Sequence, residues 1–152
     1  MDYKQAGVDY SRIDPLKILA QQAARATVGQ LTNTGWKEMP ESRGESAYVM
    51  DCGDFYLASI TECLGTKPIV ADALRTVTGK TYYDTLAQDT IAMAVNDLIT
   101  VGARPVSIHA YWAAGGSDWF NDKQRAADLV AGWKAACEAS CAVWAGGETP
   151  SL

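Results

Sequence analysis

Histidine, positive charge and long apolar runs are the scarce features of this chain, and each scarcity removes a class of chemistry. His109 is the only histidine in 152 residues. No Ser/His/Asp arrangement is suggested by the spacing, and Cys63 has no evident base partner, so nucleophilic hydrolysis finds no support. Four cysteines are present, Cys52, Cys63, Cys137 and Cys141. Cys137 and Cys141 are four apart, but a zinc site wants tighter Cys/His clustering. Buried, reduced thiols are the expectation, and with them a cytoplasmic location. No stretch is apolar and long enough to span a bilayer. The opening Met1-Asp2-Tyr3-Lys4-Gln5 has no apolar segment of the secretory kind. Lys and Arg number 13 against 18 Asp and Glu, a net charge of −5. That excess disfavours nucleic acid and anionic membranes as partners, while leaving room for a small anion in a local pocket.

What is present describes a globular protein. Hydrophobic residues make up 48% and charged residues 20%, and the length suits one domain over residues 1–152. No internal repeat or linker is visible. Asp14-Pro15 reads as a helix start, an N-cap acceptor followed by proline at the first helical position. Leu16, Leu19, Ala20, Ala23 and Thr27 then recur at helical spacing, with Gly29 as a stop. Residues 30–46 read as a loop. Tyr48–Met50 and Phe55–Ser59 read as two strands around the tight turn Asp51-Cys52-Gly53-Asp54. Glu62 to Lys67 reads as a glycine-bearing turn. A long helix is expected from Thr85 to Val101, ending at Gly102, then a strand from Val106 to Trp112. Ser117 or Asp118 would cap a helix from about Trp119 to Ala139, and Cys141–Ala145 would be a last strand left through a turn at Gly146-Gly147-Glu148-Thr149. Strands and helices interleave, but the first two strands look antiparallel. The fold class is therefore α+β, a mixed α/β arrangement with a mixed sheet packed against helices.

Three places could carry chemistry. On the long helix, Leu86, Thr90, Met93, Ala94 and Val101 share a face with Asp97. A carboxylate there meets both the core side and the negative end of the helix dipole. A cation would relieve both costs; so would a neighbouring loop or Arg104. Asp89 and Asn96 line one stripe, roughly 10 Å apart along the axis. In the turn before Lys67, Gly65 allows close approach of backbone N–H groups to a phosphate, Thr66 adds a hydroxyl and Lys67 a point charge. The spacing is not that of a Walker A loop, and a plain surface turn is the alternative. At the third place, Glu148 adds a carboxylate beside a double glycine. Three such acidic groups could hold Mg²⁺ between phosphate oxygens. His109 reads as a satisfied core histidine, and Trp112, Trp119, Trp133 and Trp144 as core or interface residues.

These same places resemble one family. Tyr3-Lys4-Gln5-Ala6-Gly7-Val8-Asp9 looks like the N-terminal signature of the phosphoribosylformylglycinamidine cyclo-ligases (aminoimidazole ribonucleotide synthetases). Gly65-Thr66-Lys67 looks like the end of their Asp-Gly-Val-Gly-Thr-Lys loop. Asp89 to Leu98 with Gly102-Ala103-Arg104-Pro105 is similar to their central motif, and Gly146-Gly147-Glu148-Thr149 to their Gly-Gly-Glu-Thr turn. The resemblance implies an ATP-dependent, Mg²⁺-assisted closure of the aminoimidazole ring in purine synthesis, acting on nucleotide and ribonucleotide substrates. It implies the family's N-terminal-domain fold, with strands pairing across a homodimer and a second domain absent here, so that the chain is expected to be an N-terminal fragment. By carry-over, Glu62, Asp97 and Glu148 would be metal-linked and Lys67 and Asp97 catalytic. Gly65, Thr66, Lys67, Asp89, Asn96, Gly147 and Thr149 would bind the nucleotide, and Tyr3 to Asp9 would fold over it. The chain departs from the pattern at Glu62 (Asp in the family), at Cys63 (Gly), at Glu41–Ser46 where a glycine-rich loop is missing, and at His109-Ala110-Tyr111 (Leu-Asp-Tyr). Those departures keep two alternatives in view: a divergent ATP-using relative with another acceptor, or a non-catalytic dimerising nucleotide-binding module.

Overall fold

A computed structural model describes residue 4 and residues 8–151. The chain forms two compact units, Met1–Pro40 with Met50–Leu57, and Glu41–Val49 with Ala58–Leu152.

The first unit carries α1, Tyr10–Ala26. Its N-cap is Asp9, not Asp14: the Asp9 carboxylate accepts from the Ser11 N–H at 3.1 Å and from the Ser11 hydroxyl at 2.6 Å. The hydroxyl bond is the largest cause holding the Asp9 carboxyl below its ordinary range, with Lys4 assisting at 3.4 Å. Pro15 therefore lies inside the helix, where its ring removes one main-chain donor. The apolar residues of α1 meet no core, and Leu16 and Leu19 stay exposed. The stretch expected to be a loop carries a 3₁₀ helix, Val28–Thr34, ended by Gly35 in the left-handed region at φ 75°. A short strand β1, Lys37–Glu38, follows. β1 pairs antiparallel with β2, Tyr48–Asp51, through Lys37↔Asp51 and Glu38↔Met50. The expected hairpin is present: Cys52 N–H donates to the Phe55 carbonyl at 2.9 Å, and β3 runs Tyr56–Ser59. Gly53 takes φ 94°, and its N–H donates to the Asp51 carboxylate at 2.9 Å, a turn held by its own side chain. Strand order is β1-β2-β3, so β2 is covered on both sides and only β1 and β3 are edges.

The second unit holds the main core. Helices α2 (Lys67–Thr78), α3 (Tyr83–Thr100) and α4 (Lys123–Ala139) lie with the strands β4 (Ser107–Tyr111) and β5 (Val143–Glu148). α2 was not foreseen in the sequence, although Pro68 in its first turn and Gly79 at its C-cap are ordinary helix boundaries. α3 and α4 bury Tyr83, Leu86, Ala87 and Ile91 against Leu129, Trp133, Ala136 and Cys137. The contact is close because Gly132 has no Cβ: one there would meet the backbone of Asp84, 2.6 Å from its Cα. Asp122 caps α4 by accepting from the Arg125 N–H at 3.0 Å. Ser117 and Asp118, the expected caps, instead start a separate 3₁₀ turn, Ser117–Asn121.

β4 and β5 pair in parallel, with Ala110↔Gly147 and Tyr111↔Glu148 in register and an irregularity at Ile108/His109. Gly146 and Gly147 are thus inside a strand rather than in a turn. The pairing requires glycine at 147, where a Cβ would run into the Ala110 carbonyl. One sheet face sends Ile108 and Ala110 to the core, where Trp112, Trp133 and Trp144 cluster, with ring centroids 5.5 to 6.3 Å apart. The other face leaves His109 exposed, correcting the core-histidine reading. Of the cysteines, only Cys137 is buried; Cys63 and Cys141 are exposed, and all four are free thiols. The architecture is a mixed α/β one, in which an antiparallel sheet and a parallel pair accompany the helices. No helix among the described residues is long and apolar enough to cross a membrane.

Candidate functional site

The candidate residues from Glu62 to Thr149 all belong to the second unit. Tyr3 and Gln5–Gly7 of the expected N-terminal signature lie outside the described residues.

The loop before α2 is built by Gly65 at φ 58°, a conformation that favours glycine. Thr66 takes the N-cap position without a side-chain cap, so its hydroxyl is not spent on the helix. The first-turn donors of α2 are largely committed. Lys67 N–H reaches the Leu64 carbonyl at 3.3 Å, Pro68 has none to give, and Ile69 and Val70 both donate to the Thr66 carbonyl. An anion at this loop would therefore find the side chains of Thr66 and Lys67 rather than a row of free helix N–H groups.

Lys67 is the first residue of α2, and its ammonium crosses to α3. It lies 3.3 Å from the Asp89 carboxylate and 3.2 Å from the Met93 sulfur. Asp89 and Met93 are four apart, on one face of the helix. The structure thus brings together two of the sequence-derived candidates, Lys67 and Asp89. It adds Met93, which the sequence had placed only on an apolar face. The remaining candidates are more dispersed. Asn96 is exposed; Asp97 is half-buried near the end of α3 and makes no ion pair among the described residues, Arg104 included. Glu62 accepts from the Cys63 N–H at 3.2 Å and is otherwise exposed. Glu148 ends β5 with its side chain exposed, while its carbonyl accepts from the Trp112 N–H at 2.9 Å. Gly147 is fixed by pairing with Ala110, and Thr149 is exposed. Among the described residues no three His, Cys, Asp or Glu side chains gather closely enough to enclose a metal ion. Glu62, Asp97 and Glu148 are accordingly not assembled as a set.

A second polar cluster braces the helices that carry Lys67 and Asp89. Arg75 of α2 pairs with Asp122 at the start of α4, and that bond is the largest cause lowering the Asp122 carboxyl to about 2. Arg125 pairs with Asp72 at 3.2 Å, donates to the Trp119 carbonyl at 3.2 Å and lies over the rings of Trp119 and Tyr83. The Tyr83 hydroxyl donates to Asp72 at 3.2 Å, and burial, reinforced by the Asp72 charge, pushes its phenol up to about 12. Thr81 donates to Asp128. Charge pairs join α2 to α4, and the Tyr83 hydroxyl and ring tie α3 to both, in addition to apolar contact.

Residues 44–151 match the family described as AIR synthase related protein, N-terminal domain. The chain belongs to that family. Within the AIR synthase related proteins, it is 37% identical over 151 residues to a phosphoribosylformylglycinamidine cyclo-ligase of Pyrococcus furiosus, covering 98% of this chain and 41% of that protein. It is 42% identical over 114 residues to the Thermococcus kodakarensis protein of the same name, covering 74% of this chain and 32% of the relative. The Lactobacillus acidophilus protein of that name is 30% identical over 155 residues, covering 99% and 40%. The chain thus spans less than half the length of these relatives. The matched stretch contains every candidate from Glu62 to Thr149.

Proposed function

We propose that this chain is the nucleotide-binding part of an ATP-dependent ring-closing ligase converting formylglycinamidine ribonucleotide to aminoimidazole ribonucleotide in purine biosynthesis. The relatives carry the name of that enzyme. The observation that supports the reading best is the meeting of Lys67 with Asp89, because it sets the Gly65-Thr66-Lys67 loop beside the α3 motif.

In the proposed reaction, the terminal phosphoryl group of ATP passes to the formyl oxygen of the substrate, leaving ADP. An amidine nitrogen attacks the activated carbon, the ring closes and phosphate departs. The protein's share in such a transfer is positioning and charge neutralisation. Lys67 is suited to it. Its pair with Asp89 is exposed on both sides, and exposed pairs contribute only about 0–1 kcal/mol. A phosphate oxygen can therefore replace Asp89 at little cost and gain a charge-assisted bond. Gly65 and Thr66 would meet the same phosphates. Asp89, once released, would line the nucleotide site with Asn96, Gly147 and Thr149, and Asp97 would act beside Lys67.

Mg²⁺ does not fit a cage made by the described residues alone, since among them the carboxylates do not cluster. It is usually held by one or two carboxylates together with substrate phosphates, and Glu62, Asp97 and Glu148 are the candidates for that share. A homodimer is proposed as well. Of the two hairpin strands only β3 is an edge, with Tyr56 and Leu57 exposed along it, and such edges are normally paired or covered.

The test is calorimetric titration with a non-hydrolysable ATP analogue and Mg²⁺, then with formylglycinamidine ribonucleotide. Wild type is expected to bind both, and Lys67→Ala to bind the analogue roughly ten- to a hundredfold more weakly, the loss of one charged hydrogen bond of about 1.5–3 kcal/mol. Absence of analogue binding by wild type would refute the reading. A divergent ATP enzyme with another acceptor is the second reading, favoured by Glu62-Cys63 and His109-Ala110-Tyr111, and binding of the analogue without the ribonucleotide would select it.

A further inference from the structure

The contact between Lys67 and Met93 has no role in the reaction as proposed, and its chemistry suggests one. A lysine ammonium has three N–H donors and no acceptor, while a thioether sulfur is a weak, uncharged acceptor. Here one donor faces the Asp89 carboxylate at 3.3 Å and another the Met93 sulfur at 3.2 Å. The two acceptors respond differently to an arriving anion. Asp89 carries the same sign as a phosphate and is repelled by it. Met93 carries no charge, so nothing drives it from the ammonium. Met93 is also half-buried on a helix whose inner face packs in the core, whereas Asp89 projects into solvent. Its sulfur is therefore the steadier of the two partners.

We infer that Met93 is a positioning residue for Lys67: its sulfur retains the ammonium at the Gly65-Thr66 loop while Asp89 is exchanged for a phosphate oxygen. This rests on the reading of Lys67 as a phosphate-binding group. Without the sulfur, the four-carbon stem is free to take other rotamers once Asp89 lets go, and part of the binding energy is spent on ordering it. Leucine in place of Met93 conserves volume and removes only the acceptor. Glutamine restores an acceptor at similar reach.

The experiment labels the methyl groups of the four methionines with carbon-13 and follows them by NMR, Met93 being assigned by the signal lost in Met93→Leu. The Met93 methyl is expected to shift in Lys67→Ala, which reports that the two side chains meet; phosphate binding by the variants at position 93 separates positioning from mere contact. Tripolyphosphate is the binding probe. Met93→Leu is expected to bind it about two- to threefold more weakly, at the low end for a hydrogen bond because the thioether is a weak acceptor, and Met93→Gln to recover the loss. A Met93 methyl indifferent to Lys67→Ala overturns the inference, as does tripolyphosphate binding by Met93→Leu equal to wild type. Should wild type not bind tripolyphosphate at all, the phosphate role of Lys67 falls, and this inference falls with it. A methyl that still responds to Lys67→Ala would then leave a structural contact only, which separates that failure from the first.

Discussion

Replacing Gly132 by alanine tests the close crossing of α3 and α4. In an exposed helix this change would stabilise by about 1 kcal/mol, the difference in helix propensity. At position 132 the new Cβ would lie 2.6 Å from the Asp84 Cα and 2.7 Å from its carbonyl carbon. Comfortable carbon contacts are about 3.5–4.0 Å, so the helices must part by roughly 1 Å. The obstacle is backbone, which cannot swing aside as a side chain does. Parting the helices loosens Leu86, Ala87, Leu129 and Trp133 together. Overpacking costs about 1–3 kcal/mol, and a backbone clash belongs at the upper end. After the propensity gain, a net loss of about 2 kcal/mol remains. For a chain near this length that corresponds to a melting temperature lower by roughly 4–8 °C. Thermal unfolding followed by tryptophan fluorescence reports on it directly, since Trp112, Trp133 and Trp144 cluster in the same core. Gly29→Ala is the control: nothing lies within 4 Å of its Cβ, and its effect should stay within about 0.5 kcal/mol. A Gly132→Ala protein that melts at or above the wild-type temperature would refute the argument.

Two further outcomes are expected. The phenol of Tyr83 is raised to about 12 in the fold against about 10 in an unfolded chain. The native state holds this proton more tightly, so its contribution is complete below pH ~10 and lost as pH rises toward ~12. In an ultraviolet titration, one of the seven tyrosines should ionise late, with that late step absent in Tyr83→Phe. Seven tyrosines ionising together in the intact protein would contradict the buried position. Light scattering at micromolar concentration should give the mass of a dimer, and Leu57→Lys on the β3 edge should shift it toward one chain; a wild-type monomer would remove the proposed pairing.

The sequence by itself determined those features whose cause is local. The hairpin at Asp51–Asp54, the extent of α3 and the strand β4 follow from turn residues, a glycine stop and apolar periodicity, all of which act within a few residues. The motif around Gly65-Thr66-Lys67 and Asp89–Asp97 was also legible, since it resides in residue order. Local signals misled where two candidates competed: Asp9 outdid Asp14 as a cap because Ser11 offers it both an N–H and a hydroxyl, and Asp122 outdid Ser117 and Asp118. Only tertiary structure decided the rest. Gly146-Gly147 looks like a turn in isolation and becomes a strand because it pairs with His109 and Ala110, distant in sequence, an approach that at Gly147 leaves no room for a Cβ. His109 sits in an apolar run yet faces outward, because the core covers only one side of β4. Lys67 meets Asp89 and Met93 because the packing of α2 on α3, braced by Arg75–Asp122 and Arg125–Asp72, sets the separation of residues more than twenty positions apart. Such encounters depend on distance in space, which periodicity and spacing along the chain do not encode.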